Sequence, residues 1–185
     1  MISDQDYIRT FSGIAFSTID PKPEQISIDD IVHAMPLLTR FGGHCRRFYS
    51  VAEHTLFVLQ LAKKNESSQD TLDACLIHDI SEIYLSDLLS PFKHLLPGYQ
   101  KIEEKIIQIV HERFHCPREK ESVAKFDKIA LYLEGRQLLS SIDDWDYSKL
   151  PEFINGIPIS SHPPSEISLR VELRHKLQDL DKRRC

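Results

Sequence analysis

Apolar residues recur at helical spacing along most of this chain, and Pro, Gly or a polar cluster stands wherever the spacing breaks. The stretch ISIDDIVHAMPLL reads as a helix. Ser27 followed by Asp30 is close to a capping box, and Pro36 should end or kink the helix. Val51, His54, Val58 and Leu61 fall on one stripe of a second helix over 51–64. NESSQD is a turn, and the next helix covers 69–84. SDLLSPFKHLLPGY, with Pro91 and Pro97, connects to an amphipathic helix over 101–114 with Ile102, Ile106, Ile109 and Val110 inward. A helix over 119–141 places Val123, Ala124, Ala130 and Leu131 on the side that carries Asp127. After the polar stretch DDWDYSKLPEFINGIPISSHPPSE, a last helix over 165–182 ends in a charged tail expected to fray.

Residues 1–25, broken by Gly13, Pro21 and Pro23, read as an extended arm or short hairpin packed on the body. TRFGGHCRRFY is a loop set by Gly42 and Gly43. With little strand signal and no internal repeat, the expectation is an all-α bundle of five or six main helices in one domain over 1–185. Within it, 1–25 is the arm, 27–145 the core, and 146–185 the C-terminal segment and helix.

Composition narrows the class. The chain has 185 residues, enough for one domain with a real core, and 41% hydrophobic with 28% charged residues is the balance of a soluble globule. A net charge of −5 argues against an extended nucleic-acid surface, though not against a local basic pocket. No apolar run approaches the roughly 18 to 20 residues of a membrane span, and the opening MISDQDYIRTF has no signal-peptide core, so the expectation is no membrane and a cytoplasmic setting. Cys45, Cys75, Cys116 and Cys185 are scattered without a CxxC pair and read as buried or incidental thiols. The pattern leaves a homo-oligomer open.

The run LDACLIHDISEIYLSDL is apolar enough for a core, yet it contains His78, Asp79, Glu82 and Asp87. Burying charge without a partner costs several kcal/mol. His54 interrupts the core stripe of its helix, and Asp127 sits on the core side of another. Taken singly, each has an ordinary reading: a core His bonded to backbone, or an Asp capping a turn. Taken together, His54, His78, Asp79 and Asp127 come from three helices on faces that are otherwise apolar, and two imidazoles with two carboxylates make a divalent-metal shell. A cation there lets the carboxylates stay ionised indoors and acidifies water. Glu82, one turn beyond, is placed to orient that water or shuttle a proton. Asp87, at the end of the motif, either touches the water or a leaving group or is a solvated helix end. Arg40, Arg46, Arg47 and Lys93 flank these residues and suit phosphate, or else are solvated surface charge. Phe41, Phe48 and Tyr84 either stack on a base or simply pack, and no GxxxxGK[ST] loop is present.

The segments RFGGHCRRFYSVAEHTLFV, LIHDISEIYLSDLLSPFK and KFDKIALYLEGRQLL, with the opening FSGIAF and PKPEQISIDDIVHAM, resemble the HD-domain metal-dependent phosphohydrolases. More narrowly, they resemble the small bacterial and phage members related to 5′-deoxynucleotidases. The resemblance spans roughly residues 7 to 145. It implies an all-α HD-domain bundle, metal ligands at His54, His78, Asp79 and Asp127, and Glu82 as the water-orienting or general acid/base residue. Asp87 becomes a second catalytic or substrate-side carboxylate, and Arg40 and Lys93 become phosphate contacts; His44, which the resemblance does not cover, either contacts phosphate or packs. Arg40-Phe41 stands where the deoxynucleotidases carry Arg-Trp, and the GGH of the loop is this chain's own. The implied cofactor is one divalent metal, Mn, Co, Fe, Ni or Zn, with Mg open. The expected activity is hydrolysis of a nucleoside 5′-monophosphate, with deoxynucleotides preferred. A deoxynucleoside triphosphate triphosphohydrolase, using Arg46, Arg47 and His44 as added cations, is the alternative reading. A non-catalytic metal or nucleotide sensor and a helical structural protein with buried polar pairs are the readings outside that class.

Overall fold

The computed structural model describes residues 6–146 and 157–184. An antiparallel hairpin, β1 (Tyr7–Arg9) and β2 (Ala15–Ser17), precedes the helices α1 (Ile28–Ala34), α2 (Val51–Lys64), α3 (Gln69–Ile77), α4 (Glu82–Leu85), α5 (Ser90–Lys93), α6 (Pro97–Arg113), α7 (Lys120–Leu138) and α8 (Glu166–Arg184). The fold is all-α with a short N-terminal hairpin, as the spacing of apolar positions implies. No described helix is long and apolar enough to cross a membrane.

Helix α2 is the axis of the core. Ser50 accepts from the Glu53 backbone N–H while the Glu53 side chain returns to the Ser50 N–H, a full capping box that fixes where the helix starts. Val51, Ala52, His54, Thr55, Val58, Leu61 and Ala62 are all buried, and α3 and α7 pack on this helix. Helix α8 buries Leu169, Leu173, Leu177 and Leu180 as one stripe and lies along α1. Each such leucine contributes roughly 2 kcal/mol by leaving water.

Local departures from the expected elements have physical causes. Ser27 caps α1 through the Asp29 N–H, and Asp30 does not close the box. The Asp30 carboxylate turns inward and accepts from the Ser12 N–H (2.6 Å) and hydroxyl (2.8 Å), which ties the hairpin to the body beside the buried Phe16. The expected continuous helix over 69–84 is split. His78 Nδ1 donates to the Cys75 carbonyl (2.9 Å), the acceptor a continuing helix would offer to the Asp79 N–H, and the chain turns through 78–81 before α4. Pro97, the first residue of α6, starts that helix four residues earlier than the spacing suggests. The C-terminal end is tied down and not frayed: Arg183 and Arg184 reach the buried Asp73 (2.7 and 3.0 Å), and Arg184 also pairs with Asp70. Gly135 in α7 leaves room for the Trp145 ring, which a Cβ would meet at 2.8 Å. Cys45, Cys75 and Cys116 are free, and Cys185 lies outside the described residues.

Candidate metal centre

Three elements bring the predicted ligands together. His54 comes from the first turn of α2, His78 and Asp79 from the turn after α3, and Asp127 from α7. One donor atom each from His54, His78 and Asp127 lies within 4.8 Å of the others. His54 Nε2 is 3.1 Å from Asp127 Oδ1 and 3.3 Å from Asp79 Oδ2, and His78 Nε2 is 3.1 Å from Asp79 Oδ2. The two imidazole Nε2 atoms are 3.3 Å apart. Asp127 is 45% exposed, and with His78 it lines a cleft of about 210 Å³ walled by Ala74, Ile107, Val123 and Ala124. Solvent reaches the donors by that route. A larger groove of about 390 Å³ lies behind Tyr49 and Glu53 and does not touch the four donors.

The hydrogen bonds decide what the cluster can hold. His78 Nδ1–H is used on the Cys75 carbonyl, and His54 Nδ1–H on Glu134 Oε1 at 2.6 Å. Neutral imidazoles so bound present lone pairs at both Nε2 atoms, toward each other and toward two carboxylates. Asp79 Oδ2 is buried and has no hydrogen-bond partner among the described residues. That convergence is repulsive unless something positive lies within it. Two nitrogens and two carboxylate oxygens are a donor set that fits a first-row divalent cation. Without one, a proton takes part of the role. Burial and Arg40 oppose charge on His54, but Glu134, Asp127 and Asp79 hold its pKa well above the ordinary imidazole value. Burial likewise opposes ionisation of Asp79 and Asp127, yet the two histidines keep Asp79 well below, and Asp127 below, the usual carboxylate range. Burial, with Asp127 adding, pushes the Cys75 thiol up to about 12.

The second group of predicted residues borders the first. Arg40 is nearly buried. Its Nη1 is 3.8 Å from both Asp79 Oδ2 and Asp87 Oδ1, its Nη2 is 3.5 Å from Glu134 Oε2, and its Nε has no partner among the described residues. Burial would discharge it, but Glu134, Asp79 and Asp87 keep it firmly protonated. Glu82 is 4% exposed, and its Oε2 is likewise without a partner among the described residues. Burial, then Asp79 and Asp87, raise its pKa well above the ordinary value. Asp87 is raised as well, by burial and against the pull of Arg40. Lys93 is part-buried and pairs with Glu103 at 2.7 Å, and its charge also reaches Glu82 and Asp87. Backbone strain marks this side. Phe41, beside Arg40, has φ 55°, and Ser86, beside Asp87, has φ 67° and ψ 159°, a region that side chains rarely adopt.

Three other candidates lie elsewhere. Arg46 is exposed and donates to the Ser140 carbonyl at 3.3 Å. Arg47 is held on several sides: its Nη2 is 2.8 Å from Glu53 Oε1 as an ion pair, its Nη1 donates to Glu53 Oε2 (3.2 Å) and to the Phe48 carbonyl, and its Nε to the Ser160 carbonyl. His44 is exposed at the end of the Gly42–Gly43 turn. The sequence reading passed over Glu134 and Tyr49. Glu134 is completely buried and accepts from His54 Nδ1 and from the Tyr49 hydroxyl (2.9 Å). The available signal is its place seven residues after Asp127, two turns along the same face of α7.

No family model matches the chain. It is 33% identical over 183 residues to the uncharacterized protein YfdR of Escherichia coli (strain K12), spanning 95% of this chain and 98% of that protein. It is 30% identical over 181 residues to the uncharacterized protein RCAP_rcc00048 of Rhodobacter capsulatus, spanning 90% and 92%.

Proposed function

We propose that this chain, which belongs to the family of YfdR and RCAP_rcc00048, is a divalent-cation-dependent phosphohydrolase of the HD-domain kind, acting on a nucleoside 5′-monophosphate. The observation that carries this reading is the pair of inward-facing Nε2 atoms of His54 and His78, with Asp79 and Asp127 set against them. When held by these four residues, a divalent cation supplies Lewis acidity to the phosphoryl oxygens and makes water acidic.

The chain's own residues do the rest. Arg40 turns its fork toward phosphoryl oxygens in exchange for its long contacts with Asp79 and Asp87. Glu82 takes a proton from the attacking water, whose oxygen forms the new bond to phosphorus. The bond from phosphorus to the nucleoside oxygen breaks, and its electron pair stays on that oxygen. Asp87 supplies the proton that the leaving oxygen needs, so one proton is removed and one delivered. Burial raises both carboxyls above the ordinary carboxylate range, which favours a proton on each relative to an exposed carboxyl.

The monophosphate is preferred over the triphosphate on charge. Arg40 and Lys93 are flanking cations whose charge reaches Glu82 and Asp87, while Arg46 turns to the Ser140 carbonyl and Arg47 to Glu53. Two cations suit one phosphoryl group. The test is to incubate chelator-stripped protein with deoxynucleoside mono- and triphosphates and Mn²⁺, Co²⁺, Ni²⁺, Zn²⁺ or Mg²⁺, and to identify products by chromatography. Orthophosphate plus nucleoside supports the proposal. Tripolyphosphate plus nucleoside replaces it with triphosphohydrolysis, and cation binding without any turnover replaces it with a sensor.

A further inference from the structure

Glu134 stands where the cation side and the phosphate side of the site meet. Its Oε1 accepts from His54 Nδ1 at 2.6 Å and from the Tyr49 hydroxyl at 2.9 Å, while its Oε2 faces Arg40 Nη2 at 3.5 Å. The carboxylate is completely buried, and the Tyr49 side chain that braces it is buried too. One oxygen thus fixes a cation ligand and the other tethers the guanidinium. We propose that Glu134 is a positioning residue that couples cation binding to phosphate binding, holding His54 with its Nε2 free and Arg40 beside it. This rests on the cation site of the proposed function.

The geometry says why a carboxylate is needed. Both oxygens of Glu134 face donors: an imidazole N–H and a phenol on one side, and a guanidinium on the other. A glutamine offers one acceptor. Its carbonyl can serve His54 and Tyr49, but its amide N–H₂ then faces the N–H groups of Arg40. The His54 orientation survives, the ligand becomes less basic, and Arg40 is pushed off.

The test uses the full chain, stripped of metal, with Mn²⁺ and inorganic phosphate as calorimetric probes. Glu134→Gln is expected to weaken Mn²⁺ by about 10- to 100-fold, the usual effect of losing a partner behind a metal-bound histidine. At saturating Mn²⁺, it is expected to weaken inorganic phosphate as well, by about tenfold, one lost charge-assisted contact. Circular dichroism verifies that the variant is folded. If it is not, Tyr49→Phe removes one donor with the ring kept, and both affinities fall in the same direction by about threefold. A purely structural role lowers the melting temperature and leaves the affinities of the folded protein alone. Unchanged Mn²⁺ affinity in the folded variants overturns the proposal, and so does weakened Mn²⁺ with phosphate unaffected. A wild-type chain that takes up no stoichiometric Mn²⁺ overturns the proposed function itself, and the coupling with it.

Discussion

His54 and His78 face each other with their Nε2 atoms 3.3 Å apart, and each is turned inward because its Nδ1 already serves another group. Asp127 Oδ1 and Asp79 Oδ2 lie at 3.1 to 3.3 Å from the same nitrogens. With both imidazoles neutral these four atoms are all electron-rich, and a cation or a proton among them relieves their repulsion.

The first prediction concerns stability. A divalent cation binding only the folded chain adds about 2.7 kcal/mol at a free concentration one hundred times its Kd. For a chain of this size that raises the melting temperature by roughly 5–10 °C. Differential scanning fluorimetry with Mn²⁺, then with excess chelator, should show the rise and its reversal. Asp127→Asn should show neither.

Glu82 is expected to act on protons and not on the cation. Glu82→Gln should retain stoichiometric metal by elemental analysis while kcat falls by about 10² or more. One limb of the pH–rate profile should go with it. Loss of metal in step with activity would make Glu82 a support of the ligand shell.

Arg40 and Arg47 should separate cleanly. Arg40→Lys keeps the charge but loses the planar fork, so kcat/KM should fall by about tenfold or more, carried mainly by KM. Arg47→Ala removes a clamp on Glu53, Phe48 and Ser160. It should cost about 1–3 kcal/mol in chemical denaturation and leave kcat/KM of the folded protein within about twofold, the outcome for a group with no role in the transition state.

His111 carries a pH signature. Burial holds its pKa below the ordinary 6.5, with Arg118 acting in the same direction, although its Nδ1–H bonds the Cys116 carbonyl. In acid the unfolded chain therefore takes up more protons at this residue than the folded one. The stability His111 contributes above pH 6.5 is lost as pH falls through its folded pKa. His111→Asn keeps a donor for Cys116 without the titration. Relative to wild type, it should gain stability between about pH 7.5 and about 5.5 in matched thermal melts, the range over which an unperturbed imidazole titrates. A constant difference across that range would count against the assignment.

Much of this molecule could be read along the chain. The apolar stripe that places His54 indoors, the interruption of ACLI by His78 and Asp79, and the position of Asp127 on the core side of α7 are local periodicities. Backbone geometry turns such spacing into a shared face. The boundaries of α2 followed for the same reason. The break after Ile77 did not; there the His78 side chain bonds the Cys75 carbonyl, a contact that spacing does not reveal.

Which of the flanking cations lies beside His54, Asp79 and Asp87 depends on three dimensions. Arg40, Arg46 and Arg47 look alike in sequence, yet Arg40 meets Glu134 across 94 positions while Arg47 is taken by Glu53 six residues away. Glu134 reaches His54 across 80 positions. The sequence by itself determined most of the side chains kept from water, because burial follows the period of a helix; Ile102 and Ala124, read as inward, are exposed, because no other described helix covers that part of α6 and α7. Only the tertiary structure decided which charge answers which, because pairing depends on distances between helices that no local pattern encodes.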